Sequence, residues 1–157
     1  MEDNYNLYHN IIPRNASILN LGCGYGYMEY MLYLCANDRK LMGVDYDEEK
    51  IEVANNAWLK NENVNFEAAD VTKYEFGNYD VFVLNDLLHY IPYAEQEKLL
   101  EKCFAKLNDG GMILVKDANT KNEKKQRATW LTEFFSTNFG FNKTAHSDLF
   151  FPDEKFI

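Results

Sequence analysis

The stretch Ile18-Leu-Asn-Leu-Gly-Cys-Gly-Tyr-Gly26 joins an apolar run that begins at Ser17 to a loop with three glycines in five residues. Because glycine has no Cβ, such a loop turns sharply and lets a ligand approach the backbone closely. For an isolated motif of this kind, a tight strand–helix turn without a ligand is the alternative explanation. The glycine spacing is GxGxG, whereas the dinucleotide-binding fingerprint is GxGxxG, so the loop does not predict a bound pyrophosphate.

Outward from this loop, short apolar runs alternate with longer amphipathic stretches along the chain. The predicted strands are residues 17–21, 41–45, 64–68, 79–84 and 112–116. The predicted helices are residues 27–35, 47–59 (with Ile51, Ala54 and Trp58 at helical spacing) and 93–107, and residues 108–111 are expected to end the last helix. Alternation at this period predicts an α/β domain with a doubly wound parallel sheet and right-handed crossovers.

Polar residues that directly follow the predicted strands are the candidate site residues, because such folds bind ligands at the carboxyl ends of their strands. Asp45 ends the second strand, where a carboxylate can accept hydrogen bonds from both hydroxyls of a ribose. A helix N-cap is the alternative role for Asp45, although Asp47 is better placed for capping. Asp70 follows the third strand, where it can accept from an exocyclic amine while the amide of Val71 donates to a ring nitrogen.

This ordered series resembles the class I S-adenosylmethionine-dependent methyltransferase family. Residues 18–26 resemble its first motif and residues 43–47 the segment after it, while residues 84–90 resemble the active-site segment of its small-molecule methyltransferases. The likeness runs from about residue 11 to residue 116, and the layout is also similar to methyltransferase modules of bacterial multidomain proteins that carry lipid acyltransferases.

The resemblance implies a three-layer, Rossmann-like methyltransferase fold with S-adenosylmethionine as the cofactor. It implies methyl transfer to a small-molecule or lipid-like acceptor by in-line displacement. The cofactor-binding residues that it indicates are Asn20, Gly22, Cys23, Gly24, Gly26, Asp45, Tyr46, Asp70, Val71 and Asn85. Cys23 is expected to fill space under the loop, without chemistry of its own.

Asn20 departs from the family pattern, which usually has an acid two residues before the first glycine. An amide can still accept a hydrogen bond, but it carries no charge for the ammonium group of the cofactor. We therefore expect either weaker cofactor binding or a charge that another acid supplies.

Two residues after the fourth strand are candidates for catalysis. In-line displacement needs a base only if the acceptor arrives protonated. His89 is the better candidate because its ordinary pKa lies near 6.5, although a histidine that packs under the next helix or orients the substrate explains it equally well. Asp86 is the weaker candidate, since its position could contact the cofactor instead. His146 is expected to lie at the surface.

The chain is expected to form a single domain over residues 1–157. Residues 1–15 would form a lid or a packed helix, with Tyr5, Tyr8 and His9 either lining the lid or packing on the sheet edge. Residues 16–117 would form the cofactor-binding core, and residues 118–157 a substrate-side segment that ends in the start of a truncated helix. We expect strand order 3-2-1-4-5, without the sixth and seventh strands of the family, as in a fragment. The edge at the fifth strand would then be covered by a tail segment, a homodimer or a partner domain.

Two features follow the predicted core. The basic run at residues 121–127 could steer an acidic acceptor, but a solvated helix face is the more common role for such a run. An aromatic-rich tail over residues 130–151 predicts an apolar substrate wall or a contact surface.

Composition excludes several function classes. The 157 residues carry a net charge of −9, so general nucleic-acid binding is disfavoured. The sequence contains no apolar run of about 18 residues, the length that would predict a membrane span. We therefore expect a soluble, cytoplasmic protein. Three cysteines without CxxC spacing argue against a disulfide framework and against a structural zinc site. Of these three, Cys35 and Cys103 are predicted to lie in the core.

Two other functions compete with methyl transfer. Asn20 and the missing strands make a catalytically idle module that only binds S-adenosylmethionine a reasonable alternative. A nicotinamide-dependent oxidoreductase is a weaker alternative, because the GxGxxG fingerprint is absent.

Overall fold

The computed structural model describes residues 3–117, apart from the side chains of residues 3–5. The helices are α1 (Asp3–Ile11), α2 (Tyr27–Cys35), α3 (Glu48–Asn55) and α4 (Tyr93–Ala105), with a short 3-10 helix at Leu88–Tyr90. The strands are β1 (Ser17–Leu21), β2 (Lys40–Asp45), β3 (Val64–Ala68), β4 (Tyr79–Asn85) and β5 (Leu107–Lys116).

The five strands form one sheet in the order β3-β2-β1-β4-β5. All four neighbouring pairs are parallel, so the predicted topology is confirmed. In this order β1 and β4 lie side by side at the centre, and the chain leaves β1 toward one edge and β4 toward the other. Ligands bind at such a reversal of strand order. A ligand site is therefore expected at the carboxyl ends of β1, β2 and β4.

Helices cover both faces of the sheet, which confirms the predicted three layers. One face packs Ile18 and Val83 against α1, α2 and α3. The opposite face packs Leu19 and Phe82 against α4 and the 3-10 helix. Neighbouring strand residues point to opposite faces, and here both faces are apolar. This arrangement explains why the central strands read as continuous apolar runs.

Two predictions about helix packing are wrong. Cys35 is exposed at the end of α2, whereas Cys103 is buried as predicted. The buried face of α2 includes Glu29, a carboxylate that the apolar spacing did not indicate. Helix α3 ends at Asn55 instead of residue 59. Trp58 therefore lies beyond the helix, and 89% of its surface is exposed.

Residues 108–111, which were expected to end the last helix, belong to β5 instead. Helix α4 ends at Ala105, and the pairing between β4 and β5 shifts register between Tyr79 and Val81. Asn108 donates a hydrogen bond to Asp80 Oδ1 at 2.8 Å, which ties the start of β5 to β4. A Cβ at Gly111 would lie 2.6 Å from the Asp80 carbonyl oxygen, so glycine permits this close approach.

Several predictions concern the part of the chain outside the described residues. They are the basic run, the aromatic tail, His146, the truncated helix and everything about strands beyond the fifth. Within residues 3–117, no helix has the length and apolar character that crossing a membrane requires.

Candidate active site

The glycine loop is fastened to the end of β2. The backbone N–H groups of Gly22 and Cys23 both donate to the Val44 carbonyl, at 2.8 and 3.1 Å. The N–H of Gly24 donates to Asp45 Oδ2 at 2.7 Å. Gly24 has φ +56°, and a Cβ built there would meet nothing within 4 Å. The loop therefore presents bare backbone to open space directly above a carboxylate.

Close packing beneath the loop fixes Cys23 and Gly26. Gly26 precedes α2 with φ +72°, and a Cβ at this position would overlap the ring of Phe66. The Cys23 sulfur lies over Gly43, where a Cβ would be 2.8 Å from Sγ. Burial raises the pKa of the Cys23 thiol and keeps it protonated. Cys23 therefore fills space and is unsuited to act as a nucleophile.

Asp45 connects the loop with the start of α3. Its Oδ2 accepts from Gly24, while its Oδ1 accepts from the backbone N–H of Asp47 at 2.9 Å. A carboxylate oxygen has two acceptor positions, so each oxygen keeps capacity for another donor. Asp47 caps α3 by accepting from the N–H of Glu49 at 3.1 Å, which confirms Asp47 as the N-cap. Tyr46, between the two acids, is half exposed.

Asp70 lies beside Asp45 at the same edge of the sheet. Asp45 is in register with Ala68 on β3, and the N–H of Ala69 donates to the Asp45 carbonyl at 2.9 Å. The two candidate acids thus follow neighbouring strands at their carboxyl ends. The side chain of Val71, the residue after Asp70, is buried in the core.

The Asp70 carboxylate is held in one position by its neighbours. Oδ1 accepts from both the N–H and the hydroxyl of Thr72, and Oδ2 pairs with Lys73 at 2.9 Å. Burial opposes ionisation, but these hydrogen bonds from Thr72 and Lys73 outweigh it and lower the pKa of Asp70. Asp70 is therefore a fixed negative group at the rim of the site.

A buried pair that the sequence did not indicate lies on the α1–α3 face. Asn20 Nδ2 donates to Glu29 Oε1 at 2.5 Å, across the glycine loop. Asn20 is 3% exposed and Glu29 is completely covered. Burial raises the pKa of Glu29 to about 7, although the hydrogen bonds from Asn20 and the backbone oppose that shift. A signal for this pair was present in the sequence, because Glu29 stands among apolar residues just after the loop.

Asn85, at the end of β4, is bound from two helices. Its Oδ1 accepts from the hydroxyl of Tyr8 on α1 at 2.6 Å, and its Nδ2 lies 3.5 Å from the sulfur of Met28 on α2. Tyr8 is 6% exposed. Helix α1 therefore packs against the end of β4 through Tyr8. This contact agrees with the alternative in which the N-terminal segment is a packed helix and not a lid.

Asp86 follows Asn85 in a strained backbone conformation. It is the non-glycine residue with positive φ in residues 3–117, at +49°. Its N–H donates to the Lys116 carbonyl at 2.7 Å, and its Oδ2 pairs with Lys116 Nζ at 2.8 Å. The side chain remains 55% exposed. Such backbone strain clusters at functional sites, and here it turns a carboxylate toward solvent beside β5.

His89 is buried in the 3-10 helix and paired with an acid beyond β5. It is 2% exposed, and its Nδ1 lies 2.6 Å from Asp117 Oδ1. The backbone N–H of His89 donates to Asp117 Oδ2 at 3.2 Å. The same rule that selected Asp45 and Asp70 could have found Asp117, because it is the residue that directly follows β5.

The structure brings the candidate residues together at one edge of the sheet. They are Asn20, the glycine loop, Asp45, Tyr46, Asp70, Val71, Asn85, Asp86 and His89, all at or just after the carboxyl ends of β1 to β4. The β2–β3 side carries the carboxylates of Asp45 and Asp70. The β4–β5 side carries the partly exposed ion pair of Asp86 with Lys116 and the buried pair of His89 with Asp117.

Comparisons with known proteins agree with this geometry. A family model described as a methyltransferase domain matches residues 12–147. The carboxy-S-adenosyl-L-methionine synthase of Campylobacter jejuni subsp. doylei is 33% identical over 113 residues, which is 71% of this chain and 48% of that protein. The chain thus spans about half the length of this relative.

Two solved structures have a similar fold. The plantazolicin methyltransferase BpumL, in complex with a monoazolic desmethylPZN analog and SAH, is 27% identical with a TM-score of 0.63, over 82% of this chain and 47% of that one. PKMT2 from Rickettsia typhi is 22% identical with a TM-score of 0.67, over 80% of this chain and 25% of that one. The chain belongs to the methyltransferase domain family, which confirms the resemblance of its motifs to class I S-adenosylmethionine-dependent methyltransferases.

Proposed function

We propose that this chain binds S-adenosylmethionine at the carboxyl edge of the sheet and transfers its methyl group to a small-molecule or lipid-like acceptor by in-line displacement. The observation that carries the proposal is the bridge from Gly24 to Asp45 at 2.7 Å, with Asp70 just beyond the end of the neighbouring strand β3. This bridge puts an open stretch of backbone beside two carboxylates, an arrangement that suits an adenosine group.

The residues present fit this cofactor. Asp45 keeps an acceptor position on each oxygen for ribose hydroxyls, and the space above Gly24 is open. Asn20 Oδ1 and Glu29 Oε2 are buried acceptors that no donor meets within residues 3–117, and an ammonium group would supply donors. A pyrophosphate would gain nothing from these acceptors, which disfavours a nicotinamide dinucleotide.

The proposed roles of the chain's residues follow from these contacts. When bound, S-adenosylmethionine supplies an activated methyl group on a sulfonium. The cofactor-binding residues would be those named from the sequence: Asn20, Gly22, Cys23, Gly24, Gly26, Asp45, Tyr46, Asp70, Val71 and Asn85. Their task is to align the reacting groups and to exclude water, which is the main requirement of an in-line displacement.

The acceptor side is assigned to Asp86 and His89. Asp86 is accessible, and its strained backbone aims it away from the core, so it is the group that would meet an acceptor. His89 is buried against Asp117, which favours a role in holding the 3-10 helix and Asp86 in place. The alternative, in which His89 acts as a base, requires that its contact with Asp117 orient the ring toward the acceptor.

Calorimetric titration of the full chain tests cofactor binding. S-adenosylhomocysteine and 5′-methylthioadenosine, which lacks the amino-acid group, should both release heat, and NADH should not. Asp45→Ala should weaken both adenosine ligands by roughly 10- to 100-fold, since hydrogen bonds to a charged group are lost. Asp38→Ala, at an exposed acid before β2, should leave both affinities unchanged. Binding of NADH alone would overturn the assignment.

A carboxy-S-adenosylmethionine synthase is the second candidate function, because a relative with that name is 33% identical over 71% of this chain. In that case the cofactor itself would be the compound that is modified. The synthase reaction would also need a second substrate that gives up a carboxyl group, which replaces a proton on the cofactor. Mass spectrometry of the nucleoside after incubation with metabolite extracts separates the two: methyl transfer leaves S-adenosylhomocysteine, whereas the synthase reaction leaves a nucleoside heavier by a carboxyl group.

Labelled methyl donor supplied with lipid and small-metabolite extracts would then identify the acceptor. Transfer of label to an extract component supports the proposed enzyme. Tight binding of S-adenosylhomocysteine without transfer to any component supports the idle binding module instead. In an active chain, Asp86→Asn should lower transfer without lowering cofactor affinity.

A further inference from the structure

Glu29 is a buried carboxylate with too few hydrogen-bond donors. It lies in the first turn of α2 and is completely covered. Its Oε1 accepts from Asn20 Nδ2, while its Oε2 has no hydrogen-bond partner within residues 3–117. The Oδ1 of Asn20 is a second buried acceptor without a donor there. No lysine, arginine or histidine of the described residues forms an ion pair with Glu29.

An arrangement of this kind calls for a donor from outside the described chain. Buried polar atoms are hydrogen-bonded in the great majority of cases, and a buried charge without a cation is costly. One of the two acceptors belongs to a carboxylate, so a donor that also carries a positive charge fits the pair best. An ammonium group has three donors and a positive charge, so it can donate to Asn20 Oδ1 and balance the charge of Glu29.

The position of the pair connects it to the candidate active site. Asn20 lies on β1 two residues before Gly22, and Glu29 lies three residues after Gly26, so the two side chains join beneath the glycine loop. Asn20 occupies the place where the resemblance leads one to expect an acid. A negative charge is thus present at this end of the loop, but the residue that carries it, Glu29, lies on helix α2 and not on strand β1.

We propose, on the assumption that the proposed function is correct, that Asn20 and Glu29 form the subsite for the α-ammonium group of the cofactor, with Glu29 supplying the negative charge through Asn20. The hydrogen bond from Asn20 Nδ2 to Glu29 occupies the amide's donor side and leaves Oδ1 as the acceptor. Glu29 is therefore a positioning residue, which orients Asn20 and makes its surroundings negative.

Protonation of Glu29 gives this proposal a second consequence. Within residues 6–117, the titratable groups that interact electrostatically with Glu29 are Asp45 at the end of β2, Cys23 in the loop and Tyr30 on its own helix. None of them supplies a positive charge. Because burial raises the pKa of Glu29 to about 7, affinity for the ammonium group should rise as pH increases through this value.

The test compares two ligands that differ only in the amino-acid group. S-adenosylhomocysteine carries the α-ammonium group, and 5′-methylthioadenosine does not. Glu29→Gln should weaken S-adenosylhomocysteine by roughly 10- to 100-fold, the range expected for a lost hydrogen bond to a charged group, and should leave 5′-methylthioadenosine unchanged. Equal affinity of Glu29→Gln and the unaltered chain for S-adenosylhomocysteine would overturn the proposal.

A charge-relocation variant adds a test that a merely structural role would not pass. Asn20→Asp combined with Glu29→Gln moves the carboxylate from α2 to β1 and keeps one amide in the pair. It should recover most of the affinity for S-adenosylhomocysteine that Glu29→Gln loses. Failure to recover it, with normal binding of 5′-methylthioadenosine, would contradict the assignment of the charge.

The unaltered chain supplies a test that needs no variant. The ratio of its affinities for S-adenosylhomocysteine and 5′-methylthioadenosine should increase between pH 6 and pH 8, and a constant ratio would contradict the proposal. A chain that binds neither ligand refutes the proposed function itself. A chain that binds both while Glu29→Gln has no effect refutes only the subsite.

Discussion

Two charged side chains of the described residues, Arg39 and Glu29, are completely covered, and their surroundings differ. Arg39, just before β2, donates to the carbonyls of His9, Ile12, Pro13 and Leu32, at 3.2, 2.6, 3.1 and 3.1 Å. These carbonyls lie at the C-terminal ends of α1 and α2, where a positive charge is favourable. Glu29 receives one side-chain hydrogen bond, from Asn20, and one of its oxygens has no partner within the described chain.

Burial alone therefore does not distinguish a structural charge from a binding charge. The Arg39 guanidinium is satisfied by the protein and joins two helices, so its charge stabilises the fold. The Glu29 carboxylate is covered but not satisfied, so its charge lowers stability until a ligand donor arrives. Functional sites often carry such local destabilisation, and the following variants test the contrast.

Replacing Arg39 should have the largest effect on stability. Arg39→Met removes the side-chain donors to these four carbonyls. The carbonyls of Leu32 and Pro13 keep backbone donors, so the cost arises mainly at His9 and Ile12, where each acceptor left unsatisfied costs about 1–3 kcal/mol. We expect the free energy of unfolding to fall by about 4 kcal/mol or more, measured by urea denaturation. Arg14→Met, at an exposed arginine nearby, should change it by less than about 0.5 kcal/mol. Similar losses in both variants would show that Arg39 does not join the helices.

Replacing Glu29 should increase stability, and the increase should depend on pH. The pKa of Glu29 is raised from 4.5 to about 7, so the folded state holds its proton more tightly than the unfolded state does. The stabilisation from this proton is complete below pH 4.5 and is lost as pH rises through about 7. Glu29→Gln carries no such proton, so its stability should not decline over this range.

The measured quantity is the difference in the free energy of unfolding between Glu29→Gln and the unaltered chain. We expect this difference to grow by about 3 kcal/mol in favour of the variant from pH 4.5 to pH 8, since one pKa unit corresponds to about 1.4 kcal/mol. Urea titrations at several pH values give this curve. A difference that stays constant with pH would mean that Glu29 titrates normally.

The smallest effect is expected at Asp80, a satisfied acid at the opposite edge of the sheet. Asp80 accepts from the N–H and the hydroxyl of Ser17 at 2.7 and 2.8 Å, and from Asn108. These hydrogen bonds, led by the one from the Ser17 backbone, lower the pKa of Asp80. Asp80→Asn should lower the free energy of unfolding by about 1–2 kcal/mol at pH 7.

The pH dependence at Asp80 should be the reverse of that at Glu29. The pKa of Asp80 is lowered from 3.8, so its stabilisation is present above that pH and is lost as pH falls through the folded-state value. The difference in the free energy of unfolding between the unaltered chain and Asp80→Asn should therefore become smaller below about pH 4. Asp109→Asn, at an exposed acid of the same edge, serves as the matched control. Its free energy of unfolding should equal that of the unaltered chain.

Local sequence patterns predict most of the helices and strands. The bounds of β1, β3 and α2 match the predictions, because short apolar runs and helical spacing are set by neighbours along the chain. Residues 108–111 belong to β5 because pairing with β4 exists on both sides of them, at Leu107 and at Met112, while the residues between form the irregularity in the register. Pairing with another strand is not visible from the residues' own preferences.

The candidate site residues at the strand ends could also be predicted from the sequence, because the carboxyl ends of parallel strands lie at one edge of the sheet. That rule found Asp45, Asp70 and Asn85, and it would have found Asp117 if it had been applied to β5. Their separate contributions to binding and catalysis stay predictions.

The sequence by itself determined the order of strands and helices and the edge that carries the candidate site residues, since both follow from periodicity and chain direction. The tertiary structure alone decided which charges are satisfied. Arg39 finds its acceptors 7 to 30 residues away, and Glu29 meets Asn20 only because α2 packs back onto β1. Hydrogen-bond satisfaction depends on how elements pack in space, and no spacing along the chain encodes it.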